Sequence, residues 1–234
     1  MVVRMPSTTV TTGLPQRLLR NLSRVTGDEK HDAAAHSTLD VLWVLYSRVL
    51  RLTPESGRDR FLLSKGHGPA SYYAVLATIG VIPEEWLDDL AGFSSPLGHH
   101  PDRMLVPGVE ISSGSLGHGL PIAVGLAHGV ALAPRAAGSG DVHVLVGDAE
   151  LDEGSNHEAI ALAGRWRLDR LRCVVVDNDS ASLGWPGGIA RRFEVEGWSS
   201  AHADAADHGA LHRALTQPAT GPHVTVVRTA RKGS

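Results

Sequence analysis

Cysteine is nearly absent from this 234-residue sequence: Cys173 stands alone. One thiol closes no intramolecular disulfide, and its apolar neighbours read it as a small core residue rather than a ligand or nucleophile. A reducing compartment fits. Neither sign of charge is in excess, with 22 Lys and Arg against 25 Asp and Glu and a formal net charge of −3. That balance argues against nucleic acid and membrane surfaces as partners, both of which call for a basic patch. No stretch reaches the roughly 18 uninterrupted apolar residues of a membrane-spanning helix. The opening MVVRMPSTTVTTG has no long apolar stretch after its charge, so no secretory leader is read there. The expected setting is cytoplasmic. Internal repeats and long linkers are also missing.

What is present is enough apolar content, 42% of residues, for one sizeable core. The expected organisation is a loose arm over residues 1–13 and one domain over 14–234. Apolar residues recur at three- and four-residue spacing over Leu14–Val25 and Leu39–Leu52, which predicts helices. Further helices are expected after the glycines of SKGHG, over Pro83–Ala91, Leu120–Leu132, Asn156–Trp166, Gly188–Glu194 and His208–Thr216. Short apolar runs at Arg60–Leu63, Val142–Val146, Cys173–Val176 and His223–Arg228 predict strands. Strands alternating with helices indicate an α/β fold: a doubly wound, mostly parallel sheet with helices on both faces. The Gly-, Pro-, Ser- and His-rich segment 98–119 lacks periodicity, and a loop that long in a compact domain is usually functional.

Asp148 follows one strand run and Asn178 follows the next. If those strands are neighbours, a right-handed crossover brings both side-chain oxygens to the carboxyl edge of the sheet, where such folds bind ligands. Mg²⁺ takes one or two such oxygens and fills its octahedron with water and ligand phosphates. Asp and Asn are also ordinary turn residues, and spacing alone leaves both readings open. The glycines of GSLGHGL do not form a dinucleotide fingerprint, because they run Gly-x-x-Gly-x-Gly with no strand before them. Close approach of backbone to a ring or diphosphate explains them better.

The segment GDAELDEGSNHEAIALAGRWRLDRLRCVVVDND resembles the thiamine-diphosphate motif of transketolases, which opens Gly-Asp-Gly and ends in Asn about thirty residues later. FLLSKGHGPASYYAVLA and GHHPDRMLVPGVEISSGSLGHGL are similar to two further transketolase segments, and HDAAAHSTLDVLWVLY aligns more weakly with another. The resemblance runs from about residue 15 to the end. It implies thiamine diphosphate as cofactor with Mg²⁺ or Ca²⁺ held by Asp148, Asn178 and the main-chain carbonyl of Ser180. It implies cofactor contacts from His67, Gly114, Ser115, Leu116, Gly147, Asp148, Ala149, Glu150 and Asn178. Catalytic roles fall to His31, His67 and His100, whose imidazoles suit hydrogen bonding to sugar hydroxyls and proton transfer near neutral pH. Glu153 and Glu158 match carboxylates at the family's subunit interface.

Several positions depart from the family. Ala149 stands where the motif has its second Gly, Lys30-His31-Asp32 replaces Gly-His-Pro, and Leu183 stands where many relatives have Asp. The Glu that activates the cofactor belongs to a separate pyrimidine-binding domain, and no second α/β domain is read here. The implied enzyme is a transferase of two-carbon ketol units from a ketose donor. Its partner would be a separate C-terminal transketolase subunit, in an α₂β₂ heterotetramer. The alternatives are a 2-oxo acid decarboxylating component and a non-catalytic cofactor-binding subunit.

Overall fold

A computed structural model describes residues 13–25, 33–53, 57–66, 69–132 and 140–229. Five strands form its sheet: β1 (Arg60–Leu63), β2 (Val142–Gly147), β3 (Leu171–Asp177), β4 (Ser199–Asp204) and β5 (His223–Arg228). Their order is β1-β2-β3-β5-β4, and all four pairings are parallel. Val and Leu dominate the inner strands because both faces are covered. Alternation then sorts each strand between two cores. Leu145, Val174, Val176 and Val227 face a layer built with α1 (Gln16–Arg24), α2 (Ala33–Val44), α3 (Pro69–Thr78) and α7 (His208–Leu215). Val144, Val146, Cys173, Val175 and Val224 face the opposite layer of α4 (Gly119–Leu132), α5 (Gly154–Arg165) and α6 (Ile189–Glu194). The expected doubly wound α/β sheet is therefore the fold. Cys173 is buried in the second core, as its apolar run predicts.

Three local readings change. Pro83–Ala91 is not an α-helix but a single 3-10 stretch, Glu84–Asp89. Glu84 there is tied to Arg17 and Arg24, and Asp88 to Arg24, so α1 holds this turn by charge as well as packing. Helix α2 ends as a wider π-turn, Leu45–Val49. The edge strand β4 has no apolar run to announce it, since Ser199–Asp204 is half-exposed along most of its length.

Two histidines sit in strands and stay out of the water. His143 on β2 is 4% exposed and His223 on β5 is 1% exposed. Burial holds both imidazoles down to about 4, although the Asp59 carboxylate pulls His143 upward. Both are neutral in the fold yet take up protons below about pH 6.5 once unfolded. The unfolded chain then binds more protons, so stability is full above about pH 6.5 and falls by up to a few kcal/mol as pH drops toward 4. Urea unfolding at pH 7.5, 5.5 and 4.5 checks this. His143→Gln is expected to flatten the decline.

Candidate functional site

Parallel pairing puts every strand's carboxyl end on one edge, and the chemistry-bearing residues collect there. Gly147 on β2 lies opposite Val176 on β3, so Asp148, directly after β2, and Asn178, directly after β3 and one position further in register, leave neighbouring strands at the same edge. Asp148 is 1% exposed. Its Oδ1 accepts from the Ala149 amide at 2.9 Å and the Ser180 hydroxyl at 2.5 Å. Its Oδ2 accepts from the amides of Ser180 at 2.6 Å and Ala181 at 3.2 Å. The carboxylate thus binds the loop after β3 to the end of β2. At the end of the neighbouring strand, Asn178 is 4% exposed, and among the described residues its Oδ1 has no hydrogen-bond partner. Leaving such an acceptor buried and unmatched costs about 1–3 kcal/mol.

That unmatched oxygen next to a carboxylate suits a small hard cation. Among the described residues no three His, Cys, Asp or Glu side chains gather into an all-protein cage. A cation at Asp148 and Asn178 would therefore complete its shell from main-chain carbonyls, water and phosphate, which is how Mg²⁺ is usually held. Ser180 is adjacent, as the motif requires, and it meets Asp148 through its amide and hydroxyl. The carboxylate already accepts four donors, so a cation has to displace one. The rotatable hydroxyl is the easiest to turn away.

A second cluster lies just beneath. Glu150 is 2% exposed, and its Oε1 accepts from the Ser64 hydroxyl and from the Gly117 amide at 3.0 Å. Its Oε2 accepts from the Gly147 amide at 3.4 Å. Burial raises the Glu150 pKa, opposed by these hydrogen bonds and by the Lys65 ammonium. The side-chain amide of Asn156 on α5 donates to the Glu150 carbonyl at 2.6 Å.

The long loop 98–119 supplies the third part. His100 is exposed, and its Nδ1 lies 3.0 Å from the Gly66 carbonyl. The Gly66 and Gly114 backbones touch: a Cβ on Gly66 would fall 2.9 Å from the Gly114 Cα. Gly114 has φ +126°, and a Cβ there would sit 2.7 Å from the His100 ring. Only glycine suits both places. The SKG stretch of one quoted segment and both ends of the other, GHHP and GSL, therefore meet at one point. Ser115 and Leu116 lie exposed beside it, while Gly147 is buried at the strand end and Ala149 is half-buried. Glu153 and Glu158 are exposed at the start of α5. His31 and His67 lie outside the described residues.

Sequence reasoning passed over Ser64 and Lys65, although both stand in the quoted SKGH segment. The signal was available: they follow directly on β1, on the edge where ligands bind. Lys65 is 8% exposed, donates to the Thr38 hydroxyl at 3.3 Å and packs against Gly147. Its ammonium charge works against burial in lowering the Glu150 pKa.

The family described as "Transketolase, thiamine diphosphate binding domain" matches residues 19–230. "Ferredoxin fas2" of Rhodococcoides fascians is 52% identical over 217 residues, covering 91% of this chain and 71% of that protein. This sequence has a single cysteine, short of the four thiolates of an iron–sulfur cluster. An apulose-4-phosphate transketolase subunit of Actinobacillus succinogenes is 37% identical, covering 86% of this chain and 76% of its own. A crystal structure of transketolase from Campylobacter jejuni has the same fold, with TM-score 0.73 and 24% identity. The match covers 92% of this chain and 38% of that one, so this chain spans well under half of that protein. Family match, fold and relatives agree: the chain belongs to the transketolase family, of which it carries the thiamine-diphosphate-binding domain.

Proposed function

We propose that this chain is the thiamine-diphosphate- and divalent-metal-binding subunit of a two-component transketolase-like transferase, moving a two-carbon ketol unit from a ketose donor to an acceptor. The observation that carries the reading is the buried pair at the ends of β2 and β3: a carboxylate, Asp148, and the Asn178 Oδ1, which has no hydrogen-bond partner among the described residues. Residues 14–234 form the domain that holds this site, after an arm over 1–13.

In this reading Asp148, Asn178 and the Ser180 carbonyl hold Mg²⁺ or Ca²⁺, and the metal's remaining positions take the cofactor diphosphate. Gly147, Ala149 and Asn178 line the diphosphate end; Gly114, Ser115 and Leu116 present main chain to the ring end. When bound, thiamine diphosphate supplies the carbanion stabilisation that breaking a carbon–carbon bond beside a carbonyl requires. The protein positions and moves protons. His100, with Nδ1 against the Gly66 carbonyl, is held as the Nδ1–H tautomer, which turns an acceptor nitrogen, Nε2, toward sugar hydroxyls. His67 and His31 join it in hydrogen bonding and proton transfer on the substrate.

The partner is a separate C-terminal transketolase subunit that brings the pyrimidine-binding domain and its activating Glu, in an α₂β₂ heterotetramer with Glu153 and Glu158 at the contact. A relative whose own name makes it one subunit of a transketolase, and a solved transketolase more than twice this length, support that division. The setting is the cytoplasm.

Co-expression with a complementary pyrimidine-domain subunit, followed by assay of ketol transfer from a panel of ketoses, tests the proposal. Transfer that requires both chains, thiamine diphosphate and Mg²⁺ supports it. Decarboxylation of pyruvate without any ketol transfer replaces it with a 2-oxo acid reaction. Ser180→Ala removes the hydroxyl that competes for Asp148 and leaves the main-chain carbonyl. Metal affinity, followed by titrating Mn²⁺ under electron paramagnetic resonance, is expected to stay within about threefold or to rise.

A further inference from the structure

We propose that Glu150 is a positioning residue for the cofactor site: it acts by tying loop 114–119 to the ends of β1 and β2, without touching the cofactor. The inference rests on the proposed function and changes the place of one residue within it. Family resemblance puts Glu150 among the cofactor contacts. In the fold its carboxylate points inward, 2% exposed, onto three donors from three separate segments.

Each donor fixes a different piece of the site. The Gly147 amide belongs to the end of β2, one residue before Asp148. The Ser64 hydroxyl belongs to the turn after β1, and it also accepts the Gly119 amide at 3.0 Å. The Gly117 amide lies in the loop itself. Glu150 and Ser64 therefore hold both Gly117, at the end of the loop, and Gly119, the first residue of α4. Gly114, Ser115 and Leu116, whose main chain faces the ring end, lie immediately before this anchor. Asn156 pins the Glu150 backbone from α5, so the carboxylate is itself fixed.

Glutamine at this position keeps the shape but has one accepting oxygen where the carboxylate has two. Its amide group must then face the backbone N–H of either Gly117 or Gly147, which can only donate, and a buried donor is left unmatched. Loop 114–119 is the segment free to move away. His100 sits on a different stretch, against Gly66, and is not held by Glu150. The predicted defect is therefore in cofactor affinity, with substrate KM little changed once cofactor saturates.

The test measures thiamine diphosphate affinity by calorimetry at saturating Mg²⁺, in the complex with the partner subunit, for Glu150→Gln, Ser64→Ala and the double variant. Glu150→Gln is expected to weaken binding at least about tenfold and Ser64→Ala about threefold. The double variant should lose less than the two single losses combined, because Ser64 acts partly through Glu150 and partly by holding Gly119 directly. Amide exchange at Gly117 and Gly119 should speed up in Glu150→Gln while α5 keeps its protection. A folded Glu150→Gln that binds cofactor within twofold of wild type overturns the proposal, as does a double variant whose losses simply add. Should Glu150→Gln not fold, Ser64→Ala decides alone by the same affinity measurement. Wild type that binds no thiamine diphosphate removes the proposed function and this inference together, an outcome distinct from a variant that binds normally.

Discussion

Asp148→Asn is expected to abolish metal-dependent turnover in the reconstituted complex, with Mg²⁺ affinity falling by more than about 100-fold. The size follows from what is lost. Replacing a residue that only supports a metal ligand costs about 10- to 100-fold in affinity, and in the proposed site Asp148 is itself a ligand and the sole carboxylate of the pair. The asparagine keeps the volume of the buried side chain, which is 1% exposed. It also keeps one oxygen to accept from the loop at Ser180 and Ala181. The folded fraction should therefore survive, and circular dichroism checks that before the metal titration is read. Unchanged turnover in Asp148→Asn contradicts a catalytic site here and makes a non-catalytic, cofactor-binding role the better account.

Gly114→Ala is the second large effect, and its cause is steric. The new methyl would lie 2.7 Å from the His100 ring on a backbone with φ +126°. Strain of that kind costs about 1–3 kcal/mol, and the contact forces either the ring or the loop to move. Both belong to the site, so cofactor affinity and substrate KM should worsen together, each by about tenfold or more. Glu150→Gln differs in sparing KM. Gly125→Ala serves as the control: it lies on exposed α4 with nothing within 4 Å of the added methyl. That change should leave activity alone and stabilise the helix by up to about 1 kcal/mol. Thermal melts and saturation kinetics on the two alanine variants separate these outcomes.

Much of the fold is legible in the sequence because buried parallel strands announce themselves as apolar runs. Arg60–Leu63 and His223–Arg228 are read with their observed bounds, and the two central runs lengthen by only a few residues, to Val142–Gly147 and Leu171–Asp177. The strand Ser199–Asp204 is invisible for the opposite reason. An edge strand buries little, so Ser, His and Asp occupy it and leave no apolar pattern. The Pro83–Ala91 reading mistakes acidic residues after a proline for a helix start, when only a 3-10 turn forms there. In the site, the adjacency of Asp148 and Asn178 follows from one assumption, that their strands are neighbours, which the pairing bears out. The direction of Glu150 is not legible. The resemblance puts it among the cofactor contacts, and only the convergence of Ser64, Gly117 and Gly147 shows it turned inward.

The most direct measurement of the central claim is an anomalous-scattering map of the two-subunit complex crystallised with Mn²⁺ and thiamine diphosphate. The account predicts one metal peak about 2.0–2.3 Å from both Asp148 Oδ and Asn178 Oδ1, with the Ser180 carbonyl, phosphate oxygens and water completing its octahedron. A peak elsewhere, or bound cofactor whose diphosphate lies away from the ends of β2 and β3, would contradict it.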